Sequence, residues 1–343
     1  MKIRSEGLRP REYIGCAVIT VAVMVLSVCI GSVNVPIREI GSVIRDALSG
    51  NSVRQEMSQS IIFSVRLPRV LCAALVGTAL ALCGAAMQGL LRNPLADGST
   101  LGVSSGASLG AVVAIAFQIR IPGFSGGGTM LLAMLFAFLS LALILSLAHK
   151  LDFSLTTNTI ILVGVIFSMF SSSLISLIVT FAGERVKTII FWTMGSLSGS
   201  NYVNAAALFI ATFLCGAVLL RYAGELNAFA IGEDNARHVG IHVRRVKLIV
   251  LISVSVLVGV CVSVGGTIGF VGLVIPHIVR RLTGPNHRRL LPVSMFGGAV
   301  FLMLADLVSR VLLRPLELPI GVVTSMIGSV VFIYIFYSTR KAG

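Results

Sequence analysis

The side chains that most often bind metals or catalyse reactions form no active-site pattern in this chain of 343 residues. Its six cysteines all lie within apolar segments and lack the CxxC spacing of a zinc or redox site. His277 directly follows Pro276, but no second histidine or cysteine stands near it at ligand spacing, so we interpret it as a structural histidine. The sequence therefore predicts no metal site and no cofactor.

A row of hydroxyls is the clearest polar pattern inside an apolar segment. Ser168, Ser172, Ser176 and Thr180 recur every four residues, which places them on one face of a helix. Such a row can line a water-filled path for a solute, or it can hydrogen-bond to its own backbone or to a neighbouring helix. The spacing alone leaves both interpretations open.

Glycines interrupt an apolar run near residues 256–273, and this pattern is typical of a membrane protein. In water each interior glycine costs a helix roughly 0.5–1 kcal/mol relative to alanine. In a bilayer, unwound backbone occurs where protein or a water-filled cavity covers it. Because 56% of all residues are hydrophobic and 12% are charged, we predict an all-α polytopic membrane protein with some short or broken helices. The glycines are Gly259, Gly265, Gly266, Gly269 and Gly272.

The lengths of the apolar segments predict how often the chain crosses the membrane. A spanning helix needs about 20 apolar residues, so the chain forms one transmembrane domain, residues 1–343, with about ten transmembrane helices. The first segment resembles a secretory signal, but its apolar part is too long, and we interpret it as a retained helix. The predicted segments are 13–31, 68–91, 100–117, 128–148, 159–181, 202–220, 247–264, 272–282, 290–313 and 320–337.

The positions of the cations predict the orientation. Cytoplasmic loops carry the excess of Lys and Arg, and placing the N-terminus inside gives the cytoplasm the larger share of these residues. An even number of spans then leaves both termini cytoplasmic. The net charge of +14 is divided among short loops and forms no continuous basic face, so nucleic acid is not an expected partner.

The chain lacks the groups that would supply energy for transport. It has no GxxxxGK[ST] loop to hold nucleotide phosphates, so we do not expect it to be an enzyme that hydrolyses ATP. Asp306 is the only acidic residue clearly inside a predicted span, whereas ion-coupled carriers usually hold ionisable groups near the middle of the bilayer. We therefore expect the energy to come from a partner, and an ion-coupled carrier is the less favoured alternative.

The longest predicted cytoplasmic loop covers residues 223–245. Within it, residues 226–231 can form a short helix that ends at Gly232. Glu233 and Asp234 suit the first turn of a second helix, which Gly240 then ends. Two short helices of this kind could dock into a soluble motor protein, and an ordinary interfacial loop is the alternative.

Short motifs occur in a fixed order between about Arg66 and Phe332. They include Arg66-Leu-Pro-Arg69, Gln88, Arg92-Asn-Pro-Leu-Ala96, Leu101-Gly-Val-Ser-Ser-Gly-Ala107, Trp192-Thr-Met-Gly195, Gly232-Glu233 with Ala236 and Gly240, Gly269-Phe-Val-Gly-Leu-Val-Ile-Pro-His277, Ala305-Asp306 with Arg310, and Glu317-Leu-Pro-Ile-Gly321. Together they resemble the permeases of binding-protein-dependent ABC importers for iron-siderophores, haem and cobalamin. Each motif is weak alone, and the order and spacing make the likeness specific.

The resemblance implies a dimer with a second permease, identical or paralogous, around a central path. Cytosolic ABC ATPase subunits bind on one side and a substrate-binding protein on the other. It implies that Arg66, Arg69 and Arg310 dock the binding protein, since arginine pairs well with carboxylates. Interfacial snorkelling is the alternative for Arg66 and Arg69, and an i,i+4 pair with Asp306 is the alternative for Arg310.

The resemblance also implies roles for two further sets of residues. The translocation path would include Ser168, Ser172, Ser176, Gly195 and Ser196. The contact with the ATPase would include Gly232, Glu233, Ala236 and Gly240.

We therefore predict a multi-pass permease in a bacterial cytoplasmic (inner) membrane that carries a ferric siderophore. Import of haem or cobalamin by the same architecture is an alternative. From other classes, an ion-coupled carrier is the alternative, and a non-transporting membrane scaffold is a third. The expected partners are ATPase subunits, an extracytoplasmic substrate-binding protein, a second permease and membrane lipid.

Overall fold

The computed structural model describes residues 9–33, 56–122, 126–153 and 156–340, together with Gly7, Pro36 and Glu39. In this part of the chain the regular structure is helical, and no β-strand is formed. A short helix, Glu56–Ser60, and a π-helical stretch, Ile61–Arg66, lead directly into the second long helix. The helices are α1 (Pro10–Cys29), α2 (Leu67–Leu90), α3 (Val103–Ala116), α4 (Gly127–Leu151), α5 (Thr157–Phe181), α6 (Val186–Thr193), α7 (Tyr202–Arg221), α8 (Ala223–Ile231), α9 (Glu233–His238), α10 (Val243–Gly265), α11 (Val271–Thr283), α12 (His287–Val311) and α13 (Ile320–Arg340).

Every predicted apolar segment coincides with a helix, but not every one has the length of a span. Seven helical stretches of the described chain are long and apolar enough to cross a membrane. Helix α3 and the stretch Ile320–Tyr334 of α13 are apolar but shorter, and α11 has 13 residues and an internal Pro276. The structure therefore supports an all-helical chain with seven candidate spans, while the count of about ten stays a prediction. The seven are Pro10–Cys29, Ser58–Leu90, Gly127–Leu151, Thr157–Phe181, Tyr202–Arg221, Val243–Gly265 and His287–Val311.

Helices α2 and α12 form the centre of the bundle and approach each other very closely. A Cβ atom added at Gly77 would overlap the backbone carbonyl oxygen of Gly298, and the reverse is also true. About two helical turns further along α2, a Cβ at Gly84 would overlap the carbonyl of Gly272 in α11. Helices in a bilayer gain much of their association from such close backbone contact at small residues. The glycines of α2 therefore let two helices pack directly on its backbone.

The outer helices show the opposite pattern. Helices α1, α4, α5 and α7 turn large apolar side chains outwards, among them Ile14, Phe138, Phe170 and Phe213. In water such surfaces would be aggregation-prone, whereas they are compatible with membrane lipid.

The first helix runs beside α12 in the same direction. Glu12 pairs with Arg289 over 2.6 Å near the start of both helices, and Arg310 binds the carbonyls of Ser27 and Ile30 near their ends. The start of α1 thus lies on the same side of the bundle as the start of α12. Residues 1–6 and 341–343 lie outside the described part, so the cytoplasmic placement of both termini stays a prediction.

The broken-helix segment predicted from the glycines separates α10 from α11. Gly266 and Phe270 both have a φ of +68°, which no continuous helix allows. Protein covers this unwound backbone: a Cβ at Gly266 would overlap the carbonyl of Trp192, and the Thr267 hydroxyl donates to the carbonyl of Thr193. The expectation of covered, unwound backbone is confirmed.

The contact between α2 and α12 predicts an unusually large effect for one methyl group. We expect Gly77→Ala to lower the free energy of unfolding by about 1–3 kcal/mol, because the added Cβ must push two backbones apart. Gly15→Ala in α1 is the matched control, since nothing lies within 4 Å of a Cβ built there. Thermal melting of both variants in detergent measures the difference. Equal melting temperatures would contradict the close contact.

Candidate translocation path and coupling loop

A cavity of about 680 Å³ lies between α3, α5, α10 and α13. Its wall combines apolar side chains with hydroxyls, including Ser104, Ser108 and Ser172. Among the described residues of this wall, Asp97 is the one with a charged side chain. Its carboxylate accepts hydrogen bonds from the backbone N–H and the hydroxyl of Ser99, at 2.8 and 2.6 Å, so part of its charge is already satisfied. The cavity therefore offers weak, neutral contacts and little fixed charge.

The hydroxyls in the row on α5 differ in their contacts, so that one lines the cavity and others bond to their own helix. Ser172 lines the cavity, whereas Ser168 lies close to Gly102 at the start of α3. The Ser176 hydroxyl donates to the carbonyl of Ser172 at 3.0 Å, and that of Thr180 donates to the carbonyl of Ser176 at 2.9 Å. The structure thus brings Ser172 to the cavity wall, while Ser176 and Thr180 bond to their own helix.

Gly195 lies where three parts of the chain meet beside the cavity. Its φ of +77° is one that glycine adopts readily, and its carbonyl accepts from the N–H of Ile320 at 3.0 Å. The N–H of Ser196 donates to the carbonyl of Gly265 at 2.9 Å, and its hydroxyl lies 2.9 Å from that of Ser198. The two residues before Gly195, Thr193 and Met194, line the cavity themselves. A role of Gly195 and Ser196 in the path stays a prediction.

Helix α3 supplies cavity hydroxyls that the sequence did not single out. Its glycines face α4, because a Cβ at Gly106 would meet Ser140 and one at Gly110 would overlap the carbonyl of Leu132. The serines of the same helix consequently face away from α4. The lining residues are Ser104, Ser105 and Ser108. The sequence does contain two serines four residues apart, Ser104 and Ser108, which would lie on one helix face. A pair this short does not distinguish a cavity wall from a helix–helix contact.

The loop predicted at 223–245 contains the two expected helices, α8 and α9. Gly232 separates them with φ 143° and ψ 149°, and Gly240 follows α9 with a φ of +85°. Ala236 lies in α9, and its side chain is fully buried. Glu233 points back towards the membrane helices and pairs with Lys247 of α10 over 2.7 Å. The helical structure of the loop is confirmed, and its contact with an ATPase stays a prediction.

The three arginines predicted to dock a binding protein lie at the opposite end of α12. Arg69 is bound to Asp306 at 2.9 Å and to Glu317 at 2.7 Å. Arg310 is bound to the other oxygen of Asp306 at 2.9 Å, so the alternative of an i,i+4 pair is confirmed. Buried charges are stable in a low-dielectric interior only when they are paired in this way.

Arg66 and Arg310 also cap the end of α1. The last carbonyls of a helix have no partner within it, and cations are favoured there. Arg66 donates to Val28 at 3.0 Å and to Cys29 at 2.9 Å, while Arg310 donates to the neighbouring carbonyls of Ser27 and Ile30. Each of the last four carbonyls in this stretch thus receives a guanidinium hydrogen bond.

The three arginines are buried rather than exposed. Arg66, Arg69 and Arg310 are only 4, 6 and 2% exposed, and their partners belong to the same chain. Snorkelling does not describe Arg66 either, because its side chain is buried and its guanidinium binds backbone carbonyls. Docking by the three arginines stays a prediction, and the observed geometry favours a structural role.

Comparisons with known proteins agree with this architecture. Residues 19–338 match the model of the FecCD transport family. An uncharacterized ABC transporter permease protein, YvrB of Bacillus subtilis (strain 168), is 43% identical over 348 aligned residues that cover 100% of this chain and 98% of the relative. The cobalamin import system permease protein BtuC of Halobacterium salinarum is 39% identical, over 82% of this chain and 74% of the relative.

A solved structure gives the same result for the fold. It is described as an inward-facing conformation of a metal-chelate type ABC transporter, and it superposes with a TM-score of 0.83 at 34% sequence identity. The match covers 96% of this chain and 100% of that chain. With a family model that matches nearly the whole sequence, the chain belongs to the FecCD transport family and is a multi-pass permease subunit of an ABC importer.

Proposed function

We propose that this permease carries a metal chelate, and specifically a ferric siderophore, across a bacterial cytoplasmic membrane. The cavity beside α5 carries the argument, because its wall of hydroxyls and apolar groups suits a bulky solute that must pass without being trapped. A transport path needs contacts strong enough for entry and weak enough for release. The likeness to a solved transporter of the metal-chelate type supports the same substrate class.

Import of cobalamin or haem is the second candidate. Relatives carry names that refer to cobalamin, hemin and molybdate. Cobalamin and haem are bulky solutes like a ferric siderophore, and the same wall would suit them. Molybdate is a small anion that would be better held by cations, and the described wall contributes only the acid Asp97 as a charged side chain.

An ion-coupled carrier is disfavoured on the chemistry of Asp306. Its carboxylate is held between Arg69 and Arg310, at 2.9 Å from each guanidinium group. A coupling site must release and rebind its ion during each cycle. We propose instead that the energy comes from cytosolic ATPase subunits that bind at α8 and α9, with Gly232, Glu233, Ala236 and Gly240 in the contact.

Two further partners belong to the proposal. An extracytoplasmic binding protein delivers the chelate, and a second permease, identical or paralogous, covers part of the outward apolar faces, with lipid on the remainder. The exposed residues of α5 include both hydroxyls and apolar groups, such as Ser172, Ser176 and Leu177. A partially polar helix face of this kind suits a partner and a wet path better than lipid alone.

Uptake into proteoliposomes tests the proposed substrate. With the cognate ATPase and binding protein present, we expect ATP-dependent accumulation of a radiolabelled ferric hydroxamate, and none with the permease alone under an imposed ion gradient. Haem, cobalamin and molybdate are the comparison solutes. Accumulation of cobalamin or haem alone would support the second candidate, and gradient-driven uptake without the ATPase would contradict the proposal.

Thiol labelling tests the path. In a background without native cysteines, Ser172→Cys should react rapidly with a small water-soluble thiol reagent, and the rate should change when ATP or the binding protein is added. Ser171→Cys is the matched control, because Ser171 is the neighbouring serine and is fully buried. Equal rates at the two positions would remove the support for a path beside α5.

A comparison of two arginines separates docking from a structural role. Arg310→Gln should lower the free energy of unfolding by about 3–5 kcal/mol, because it leaves Asp306 and two carbonyls of α1 short of a partner. Arg314→Gln, at an exposed arginine of the same end, should change stability little. Melting temperatures and the affinity of the folded protein for its binding protein are both measured. A lower affinity at unchanged stability would restore the docking interpretation.

A further inference from the structure

We propose that Glu233 connects the ATPase-binding loop to both sides of the cavity, with Lys247 and Thr157 as its positioning residues and Gly232 as the hinge. This inference rests on the proposed function, and it adds the route by which a movement of α9 reaches the path.

The carboxylate of Glu233 holds two membrane helices at once. Its Oε1 atom lies 2.7 Å from Nζ of Lys247 in α10 and accepts a hydrogen bond from Oγ1 of Thr157, the first residue of α5, at 3.2 Å. Lys247 has a side chain only 1% exposed, whereas that of Glu233 is 25% exposed. A buried ammonium group is stable only with a close counter-ion. Separating α9 from α10 would therefore be costly, and the two should move together.

Both helices held by Glu233 reach the cavity about four turns further on. In α5, Ser172 lies fifteen residues after Thr157, which is roughly 22 Å along a helix. In α10, Cys261 lies fourteen residues after Lys247, or roughly 21 Å. Ser172 and Cys261 both line the cavity. Since a helix transmits displacement along its axis, a shift at the Glu233 end changes the cavity wall on two sides.

Helix α8 is attached to a different part of the molecule. The side-chain oxygen of Asn227 accepts from the N–H of His287 at 2.7 Å and lies 2.8 Å from its Nδ1 atom. The Asn227 amide also donates to the side chain of Asn286 at 2.9 Å. His287 begins α12, and its ring lies where a Cβ of Gly89 in α2 would be. Thus α8 is fixed to the closely packed pair α2 and α12. Helix α12 does not line the cavity, and α2 contributes only Val76 and Leu80 to its wall.

A single glycine joins these two attachments. Gly232 is the one residue between α8 and α9, and its φ of 143° with ψ of 149° is a conformation open essentially to glycine alone. Hinges are short segments that absorb changes in φ and ψ. We expect α9 to turn about Gly232 while α8 stays with α2 and α12, so that force from an ATPase moves α5 and α10 against a fixed frame.

The test uses the complete complex and a readout that does not require the substrate to be known. Ser172→Cys is placed in a background without native cysteines, and its rate with a water-soluble thiol reagent is measured with and without ATP. Lys247→Met should reduce the ATP-dependent change in rate about tenfold, within the range found for residues that couple distant sites, while the ATPase still copurifies and hydrolyses ATP. Arg245→Met, an exposed cation two residues earlier on α10, is the matched control and should behave like the unmodified chain.

A second variant separates transmission from folding. Glu233→Gln combined with Lys247→Met removes both charges and leaves no buried ion unpaired, so its thermal stability should be close to that of the unmodified chain. In this double variant, the ATP-dependent change in the labelling rate of Ser172→Cys should still be reduced about tenfold. A full ATP response in either variant would overturn the proposed link while leaving the proposed function intact. If the labelling rate of Ser172→Cys does not respond to ATP when Glu233 and Lys247 are unchanged, both the path beside α5 and the proposed link would be overturned.

Discussion

The close contact of two glycines sets the register of the central helices, and the charged groups depend on it. Gly77 lies eight residues after Arg69 on α2, and Gly298 lies eight residues before Asp306 on α12. Because the helices run in opposite directions and touch at these glycines, Arg69 and Asp306 come to the same level, where they pair at 2.9 Å. In a membrane an unpaired buried charge is costly, so an altered register would be unfavourable. The glycine contact and the ion pair therefore stabilise the same arrangement.

Helix α12 consequently connects the two ends of the molecule. At one end Asp306 and Arg310 hold α2 and the last turn of α1. At the other end His287 holds α8 through Asn227. Two of the helices that line the cavity, α5 and α10, are tied to a separate point of the same loop through Glu233. The two short helices of the loop are thus attached to different parts of the bundle, α8 to the frame of α2 and α12 and α9 to α5 and α10, and Gly232 lies between them.

Local sequence signals predicted the helices well, including the two short helices of the loop 223–245. The apolar segments predicted the positions of the long helices. Gly232, Gly240 and the acids of the first turn predicted α8 and α9, because caps and turn residues act through neighbours in the chain. The lengths were less informative, since α11 is a helix of only 13 residues that follows unwound backbone. Only tertiary packing decides whether such a segment crosses the membrane.

The roles of the arginines and of the α3 serines could not be read from local patterns. Arg69 finds Asp306 and Glu317 more than two hundred residues away, and Arg66 finds the end of α1. In the sequence, an arginine that faces solvent at a helix end has the same neighbours as one that caps another helix. Only the fold shows which partner it has. On α3, glycines and serines alternate closely, and only the position of α4 decides which of them face the cavity.

Spin-label distances between helices test most directly whether the cavity wall moves against a fixed frame. One label pair joins Val25 of α1 to Val308 of α12, and the other joins Leu177 of α5 to Val308; all three side chains are exposed. In the complete complex, addition of ATP should leave the first distance unchanged and shift the second by about 2–5 Å, as in other helix rearrangements. Equal shifts in both pairs, or a shift confined to the pair on α1 and α12, would contradict the account.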